Sequence, residues 1–339
     1  MKKIIVTLLI LCSSVMASAQ QTANQLITEG VALFDDGKYS EALTIYEKAL
    51  KIEPDNDDVV YEMGLTYAQL KDYDKAIDCA NKVIKKNNKL LAKAYLLKGS
   101  ALDYSGKPKD AIKVFKEGTK KVPANNSLYY SIAITSYNQK EFKEAEEALQ
   151  SSLQINPLHA NSHFLMGVLK MGEKSKSMLA FYNYLIIEPT GKRANVAFTT
   201  VSGKQKEGVE VKDDKSINIT LNGLNEKDDF STADMSIALA EAAKHTEENK
   251  NKSDFEMFSE NTKSFFMILG ELQANNKKKD FWWKYYVGFF YDLARNDEMY
   301  ETFSYYIYQD VRSTAVENWL QKNPDRVSKL REWVTNYKR

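Results

Sequence analysis

The 339-residue sequence predicts a mostly α-helical fold: a solenoid of about five helix pairs, then a mainly helical C-terminal domain with a small β-hairpin or sheet. Three observations predict it. A small residue recurs as Gly30, Gly64, Gly99, Ala133 and Gly167, at spacings of 34, 35, 34 and 34 residues. Ala42, Ala76, Ala111 and Ala145 recur in step. Apolar periodicity is helical through these units, as in a stack of identical two-helix modules, and changes after Pro189.

In chain order, residues 1–19 read first as a signal for export. Lys2 and Lys3 supply a positive end, Ile4–Leu11 an apolar run, and Ala17-Ser18-Ala19 a small-x-small cleavage site before Gln20. The run is about half the ~20 residues needed to cross a bilayer. Cys12 also permits a lipoprotein reading, but large Leu11 before it and the cleavage site seven residues on favour processing at Ala19. The expected mature chain is therefore exported to the periplasm or cell envelope of a Gram-negative bacterium, with no transmembrane segment after signal removal. Its single cysteine, Cys79, has no intramolecular partner and falls where sister units carry Ile45, Val114 and Ala148, as a small buried residue does.

Residues 20–190 hold the repeats, placed at 23–56, 57–91, 92–125, 126–159 and 160–190. In the first, Leu26, Gly30 and Leu33 share a helical face, and Ala42, Leu43, Tyr46, Ala49 and Leu50 form the face of a second helix. Gly37-Lys38 separates the two, as Lys71-Asp72, Gly106-Lys107 and Lys140-Glu141 do later. Glycine inside a helix costs roughly 1 kcal/mol, so its recurrence at one register points to a close helix crossing. Pro54, Pro123, Pro157 and Pro189 end second helices, where the chain can no longer continue helically. The fifth unit is two residues short at 172–176, with Phe181, Tyr184 and Leu185 still spaced to face inward.

With small, aromatic and proline positions in register, roughly half the chain resembles the tetratricopeptide repeat (TPR) family. That resemblance implies a scaffold holding another polypeptide, the first helix of each pair lining a hollow side. The lining residues would be Ile27, Val31, Phe34, Tyr61, Leu65, Leu96, Ser100, Tyr104, Tyr130, Ile134, Tyr137, Phe164 and Val168. They are mostly apolar and aromatic, fit for an extended or helical apolar segment of a partner, tyrosine being suited to half-wet interfaces. Part of this set could instead pack between neighbouring helices. Family members that grip acidic chaperone tails use Lys, Arg and Asn where this chain has Ile27, Val31, Glu62, Lys93 and Leu97; only Lys93 fits, so that activity does not carry over.

Residues 191–339 depart from the pattern. Ala194–Val201 and Val209–Val211 look extended, and Ile217, Ile219 and Leu221 alternate with polar residues as a half-buried strand does. Strands are thus expected across about 194–222 and helices across about 231–338. Ser231 and Ser253 read as N-caps, the latter with Glu256 as a capping box, and Asn323-Pro324 opens a last helix. Phe281–Asp297 is dense in rings. Rings on all sides of a helix mean burial; the sharper alternative makes Trp282 and Trp283 a second, sugar-stacking surface. A further expectation is that this domain seals the apolar face of the last repeat and makes the two halves one rigid body. In another reading, Gly191–Asp214 fills the groove itself.

No reaction is legible. Lys and Arg number 47 against 46 Asp and Glu, a net charge of +1, which gives no electrostatic case for nucleic acid. Lys277-Lys278-Lys279 reads as a solvated loop. His159 and His163 have metal-like spacing, yet His159 sits in a turn and His163 at a core register, without an acidic third ligand. His245 reads as solvated. Gly99 and Gly106-Lys107 are too far apart for a phosphate loop, and Asp55–Asp58 is an inter-repeat turn that caps the next helix. Glu146-Glu147 and Glu256/Glu260 read as solvated faces. No cofactor, metal or catalytic residue is expected. The competing reading makes the C-terminal domain a glycan-binding module or an uncharacterised enzyme positioned by the repeats.

Overall fold

Small residues set where the helices cross, and rings fill the space they leave. In the computed structural model a Cβ added to Gly30 would stand 2.3 Å from the Tyr46 ring. The same addition at Gly99 meets Phe115 at 2.2 Å, and at Gly167 meets Phe181 at 2.8 Å. Repeat two lacks the ring, with Ala80 in its place; there Leu97 of the next repeat comes to 2.6 Å of the Gly64 position. Repeat four has Ala133 and Leu149, both buried. Where a ring is present it lies against glycine, alanine goes with leucine, and in repeat two a leucine of the next repeat takes the ring's place.

The structure describes residues 22–213, 216–220, 229–244, 246, 249, 251–275, 280–311 and 313–339. The export signal with Cys12, the lysine run at 277–279, Leu221 and His245 lie outside the described residues. By contacts the chain divides into two compact units, up to Ile155 and from Asn156 onward.

The first unit is four helix pairs: α1 (22–35) with α2 (Tyr39–Ile52), α3 (Asp57–Gln69) with α4 (Tyr73–Lys86), α5 (Leu91–Tyr104) with α6 (Pro108–Lys121), and α7 (Asn126–Asn138) with α8 (Phe142–Ile155). Each helix packs on its successor, α3 also touches α5, and α5 touches α7, so the first helices form a layer. Every intra-pair turn has one left-handed residue: Gly37, Lys71, Gly106 and Lys140, with φ of 77°, 62°, 79° and 62°. The next amide reaches back to close the turn, as Lys38 does to the Leu33 carbonyl at 2.8 Å. These are Schellman closures, which satisfy carbonyls at a helix end. Asn56 and Asn125 cap α3 and α7, accepting from the amides of Val59 and Leu128 at 3.1 Å.

The second unit opens with a fifth pair, α9 (Ala160–Leu169) and α10 (Lys174–Ile187). Ser177 takes the register of the recurring alanine and donates to the Gly167 carbonyl at 2.9 Å. Around α10 lie α11 (Lys192–Lys206), α12 (Ser231–Ala243) and α15 (Asp297–Tyr308), so Ser177–Ile186 is buried without a break. The pair is thus enclosed by its own unit, and the end of the repeat pattern near 190 does not coincide with the contact boundary at 155.

Two expectations for this unit need correction. Ala194–Val201 is helical, within α11. Its Val and Thr residues suggested a strand, but Ala194, Ala197, Val201 and Gln205 bury at helical spacing while Val196 stays exposed. Of the segment read as a filler of the groove, the described residues 191–213 are thus largely a helix packed on α10 and α12. Ser231 is the first residue of α12, and Phe230 occupies its cap position. The hairpin β1 (Val209–Asp213) and β2 (Ser216–Ile219) does form, antiparallel, with Val209 opposite Ile219 and Val211 opposite Ile217. Gly208 enters it at φ +88°, where a Cβ would meet the Thr220 carbonyl oxygen at 2.3 Å.

The remaining elements are α13 (Asp254–Asn275), a π-helical turn Trp282–Val287 running into α14 (Gly288–Arg295), a 3-10 turn Gln309–Val311, α16 (Thr314–Lys322) and α17 (Pro324–Asn336). The capping box is present: Ser253 N donates to Glu256 Oε2 at 2.7 Å, and Glu256 N to Ser253 Oγ at 3.2 Å. The core is aromatic. Tyr182 sits within 6.4 Å, between ring centroids, of Phe258, Phe266, Phe290 and Phe303. Its hydroxyl belongs to a closed triangle. Gln205 Nε2 donates to the Tyr182 hydroxyl at 3.0 Å and to Thr262 Oγ1 at 2.8 Å. Thr262 donates to the Phe258 carbonyl at 2.7 Å, so the Tyr182 hydroxyl donates to Thr262 at 2.9 Å. Three buried polar groups are thereby satisfied together.

Candidate functional site

The layer of first helices carries the predicted lining. Within the first unit Ile27, Val31, Phe34, Tyr61, Leu65, Leu96, Tyr130 and Tyr137 are half-buried, while Tyr104 and Ile134 are 75% and 37% exposed. None is fully buried, whereas neighbours on the same helices such as Met63, Tyr95 and Ile132 are. The half-buried members have two attachments. Ile27 and Phe34 pack against the first core cluster, and Tyr61 and Leu65 against the next. They therefore contribute an inner edge to the core and an outer edge to the surface. Phe164 lies in the second unit, edge-on to Phe181 and Tyr184 at 5.6 and 5.1 Å, with the Arg193 guanidinium over its ring.

Rings that the sequence reading left out extend the rim. Tyr104 stacks on Tyr73 at 6.3 Å, Phe34 meets Tyr39 edge-on at 5.3 Å, and Tyr137 tilts against Phe142 at 5.8 Å. Tyr39, Tyr73 and Phe142 each open a second helix, directly after the left-handed turn. Their signal was the recurring pattern Gly37-Lys38-Tyr39, Lys71-Asp72-Tyr73 and Lys140-Glu141-Phe142.

Charge in this layer is mainly acidic toward α1 and α3. Burial raises the Glu62 carboxyl above its ordinary value; Lys93 opposes the rise, and Asp58 and Asp35 add to it. The Tyr46 hydroxyl is pushed up to about 12, by burial first and then by Glu62 and Asp35. Lys93 lies over the Tyr61 ring at 5.7 Å, joining α5 to α3, and Thr135 donates to Asp103 Oδ2 at 3.0 Å, joining α7 to α5. Cys79 is buried against Gly64 with its thiol raised by burial, the setting of an inert core residue.

The ring-dense stretch is not a surface. Trp282 and Trp283 are 3% and 1% exposed, correcting the reading of a second binding face there. Trp283 stacks on Phe230 at 4.5 Å and Trp282 on Tyr286 at 5.0 Å, and a sugar has no access to either ring. Trp319 lies flat on Tyr305 at 4.2 Å, and Trp333 against Phe289 at 5.0 Å. The two histidines spaced like metal ligands are held within the fold, His159 Nδ1 lying 2.7 Å from the Ser162 hydroxyl. His163 is fully buried; its Nε2 faces the Pro157 carbonyl at 2.9 Å and so carries the proton, leaving Nδ1 to accept from the Tyr286 hydroxyl at 2.9 Å. Both nitrogens are taken. Among the described residues no helix is long and apolar enough to cross a membrane.

Comparison with known proteins bears on the repeat region. Tetratricopeptide repeat models match residues 33–100 and 96–160. The chain is similar to human tetratricopeptide repeat protein 28, 34% identical over 93 residues, which are 27% of this chain and 4% of that protein. It is also similar to bovine BBSome complex member BBS4, 28% identical over 142 residues, 40% of this chain and 26% of that one. The chain thus spans about a quarter or less of the length of these relatives. Among solved structures, MamA (residue 41 to the end) from Desulfovibrio magneticus RS-1 aligns with TM-score 0.40 and 22% identity, over 55% of this chain and 96% of that chain. Residues 33–160 are thus tetratricopeptide repeats, a protein-interaction fold.

Proposed function

We propose that the chain is a non-catalytic scaffold whose first-helix layer holds an apolar segment, extended or helical, of a partner polypeptide. One observation carries the reading: the aromatic and aliphatic lining of α1, α3, α5 and α7 is left open in a unit that buries the equivalent residues on the other faces of the same helices. Burial of a large apolar side chain contributes roughly 1.5–3 kcal/mol before association costs, so three or four anchors among Tyr61, Tyr104, Tyr130 and Tyr137 support roughly micromolar affinity. Packing of Trp282 and Trp283 in the interior weighs against a glycan-binding second unit. The basic, apolar and small-residue order of residues 1–19 supports export to the periplasm or envelope.

The test is site-directed photocrosslinking in cells, with a photoreactive residue at Tyr104 and, for comparison, at Lys48 on α2. A discrete adduct is expected from position 104 and not from 48, and it should vanish when Ile134 is changed to Ser. Equal adducts from both positions would sink the reading. Fractionation of the same cells checks export, with retention of an uncleaved chain in the cytoplasm as the contrary result.

A further inference from the structure

Two cavities lie side by side in the second unit, with Asp254 and Tyr308 lining both. The larger, about 440 Å³, opens among α13, α15 and α16, a volume within the range of roughly 300–1,000 Å³ usual for small-molecule sites. Rings form its inner corner: Phe255 meets Tyr305 at 4.5 Å and Tyr308 edge-on at 5.1 Å. Val311 and Val316 add aliphatic surface. Glu256 also lines it, but that carboxylate is engaged in the capping box of α13.

The smaller cavity, about 90 Å³, sits among the ends of α11 and α12 and the start of α13. Its polar lining is Ser202, Gln205, Lys206, Glu241, Lys244 and Asp254. Lys244 and Asp254 pair with each other. Glu241 is 7% exposed and takes one hydrogen bond, from Asn261 Nδ2 at 3.3 Å, with no ion pair among the described residues. Lys206 likewise has no ion pair among them. An acid and a base therefore border one space without reaching each other. A carboxylate buried without a cation is unfavourable, so a molecule carrying both charges close together would supply what each side lacks. The volume is that of a few waters, enough for an ammonium and a carboxylate on one carbon.

We propose that the two cavities together bind an α-amino acid with a large apolar side chain. Its ammonium faces Glu241, its carboxylate faces Lys206, and its side chain passes Tyr308 into the larger cavity against Phe255 and Val316. An amine or an acid alone would answer only one of the two charges. The site lies wholly in the second unit and is independent of the groove reading.

Isothermal titration calorimetry of the full chain with phenylalanine, phenethylamine, phenylpropionate and glycine separates the contributions. Phenethylamine lacks the carboxylate, phenylpropionate the ammonium, and glycine the side chain. Phenylalanine should bind about tenfold more tightly than either half-molecule, and glycine should give no heat of binding. Glu241→Gln should bring phenylalanine down to the level of phenylpropionate, and Lys206→Met to that of phenethylamine. The glutamine keeps an oxygen for Asn261, so the thermal midpoint by circular dichroism should hold or rise. Ala315→Trp fills the larger cavity from an exposed position on α16 and should abolish binding at an unchanged midpoint. Glu317→Gln, on the same helix and outside both linings, should leave binding intact.

Equal binding of phenylalanine and phenethylamine would make this a site for a cation alone and overturns the inference; equal binding of phenylpropionate does the same for an anion. No binding by phenylalanine, leucine or tryptophan at millimolar concentration also overturns it. So does saturable binding that survives Ala315→Trp, which would place the ligand elsewhere.

Discussion

Two helix pairs with the same local signature have opposite fates. In α5–α6, Gly99 lies against Phe115; in α9–α10, Gly167 lies against Phe181. Yet α6 keeps Lys109, Lys113, Lys116, Glu117 and Lys120 exposed along its outer side, while α10 is buried continuously from Ser177 to Ile186. The crossing is local and survives in both settings. What surrounds the pair is decided by the second helix's outer face: charged on α6, and Met178, Tyr182 and Leu185 on α10. The first unit therefore offers a surface, and the second unit turns its rings into a core.

That contrast can be broken most severely at the crossing itself. Gly99→Val drives a branched side chain into Phe115 and should destabilise the first unit by about 3 kcal/mol, at the upper end for overpacking. All four tryptophans lie in the second unit, so circular dichroism should show the loss while tryptophan fluorescence unfolds nearly as before. Gly99→Ala with Phe115→Leu copies the pair Ala133 and Leu149 and should recover most of the stability. Failure of that rescue would mean that crossing volume is not what the repeat conserves.

The second unit is expected to be most sensitive at its polar triangle. Tyr182→Phe leaves a Gln205 N–H without its acceptor inside the aromatic core and should cost about 2 kcal/mol, read as a lower urea midpoint of tryptophan fluorescence. An unchanged midpoint would show the triangle to be dispensable.

Acid should separate the units more gently. Burial holds the His163 imidazole well below 6.5, and Arg339 adds to the effect. The unfolded chain gains a proton below 6.5 that the folded unit does not take up, so stability is complete above 6.5 and declines beneath it. The decline should reach about 1 kcal/mol by pH 5.5 in tryptophan-monitored unfolding. His163→Asn should start lower and show a flatter pH slope; an equal slope would assign the effect to other groups.

The smallest expected gain lies in the turns. Lys71 and Lys140 adopt the left-handed conformation that Gly37 and Gly106 adopt without strain. Lys71→Gly should raise first-unit stability by about 0.5 kcal/mol, steric relief exceeding the added freedom of the unfolded chain. A loss of stability would show that the lysine side chain compensates.

The repeats were readable because one residue type per turn carries the information: Gly30, Gly64 and Gly99 can only mean a close approach, and their period locates every other element. Residues 194–201 misled because Val196, Thr199 and Thr200 favour strands on propensity, while the helix is held by Ala194, Ala197 and Val201, buried in a unit where α11 packs on α10 and α12. Trp282 and Trp283 were ambiguous for the same reason, since the ring that covers Trp283 belongs to Phe230. In the candidate site the apolar lining followed from helical register alone. The rings of Tyr39, Tyr73 and Phe142 did not, because only folding brings each against a lining ring of a neighbouring helix.

The most direct measurement pairs stability with capture in one variant, Tyr104→Ser with Ile134→Ser. Both residues are exposed, so the thermal midpoint by circular dichroism should move by no more than about 2 °C, while photocrosslinking from a neighbouring groove position such as Tyr137 is lost. A large fall in the midpoint, or undiminished crosslinking from a stable variant, would contradict an open face held in reserve for a partner.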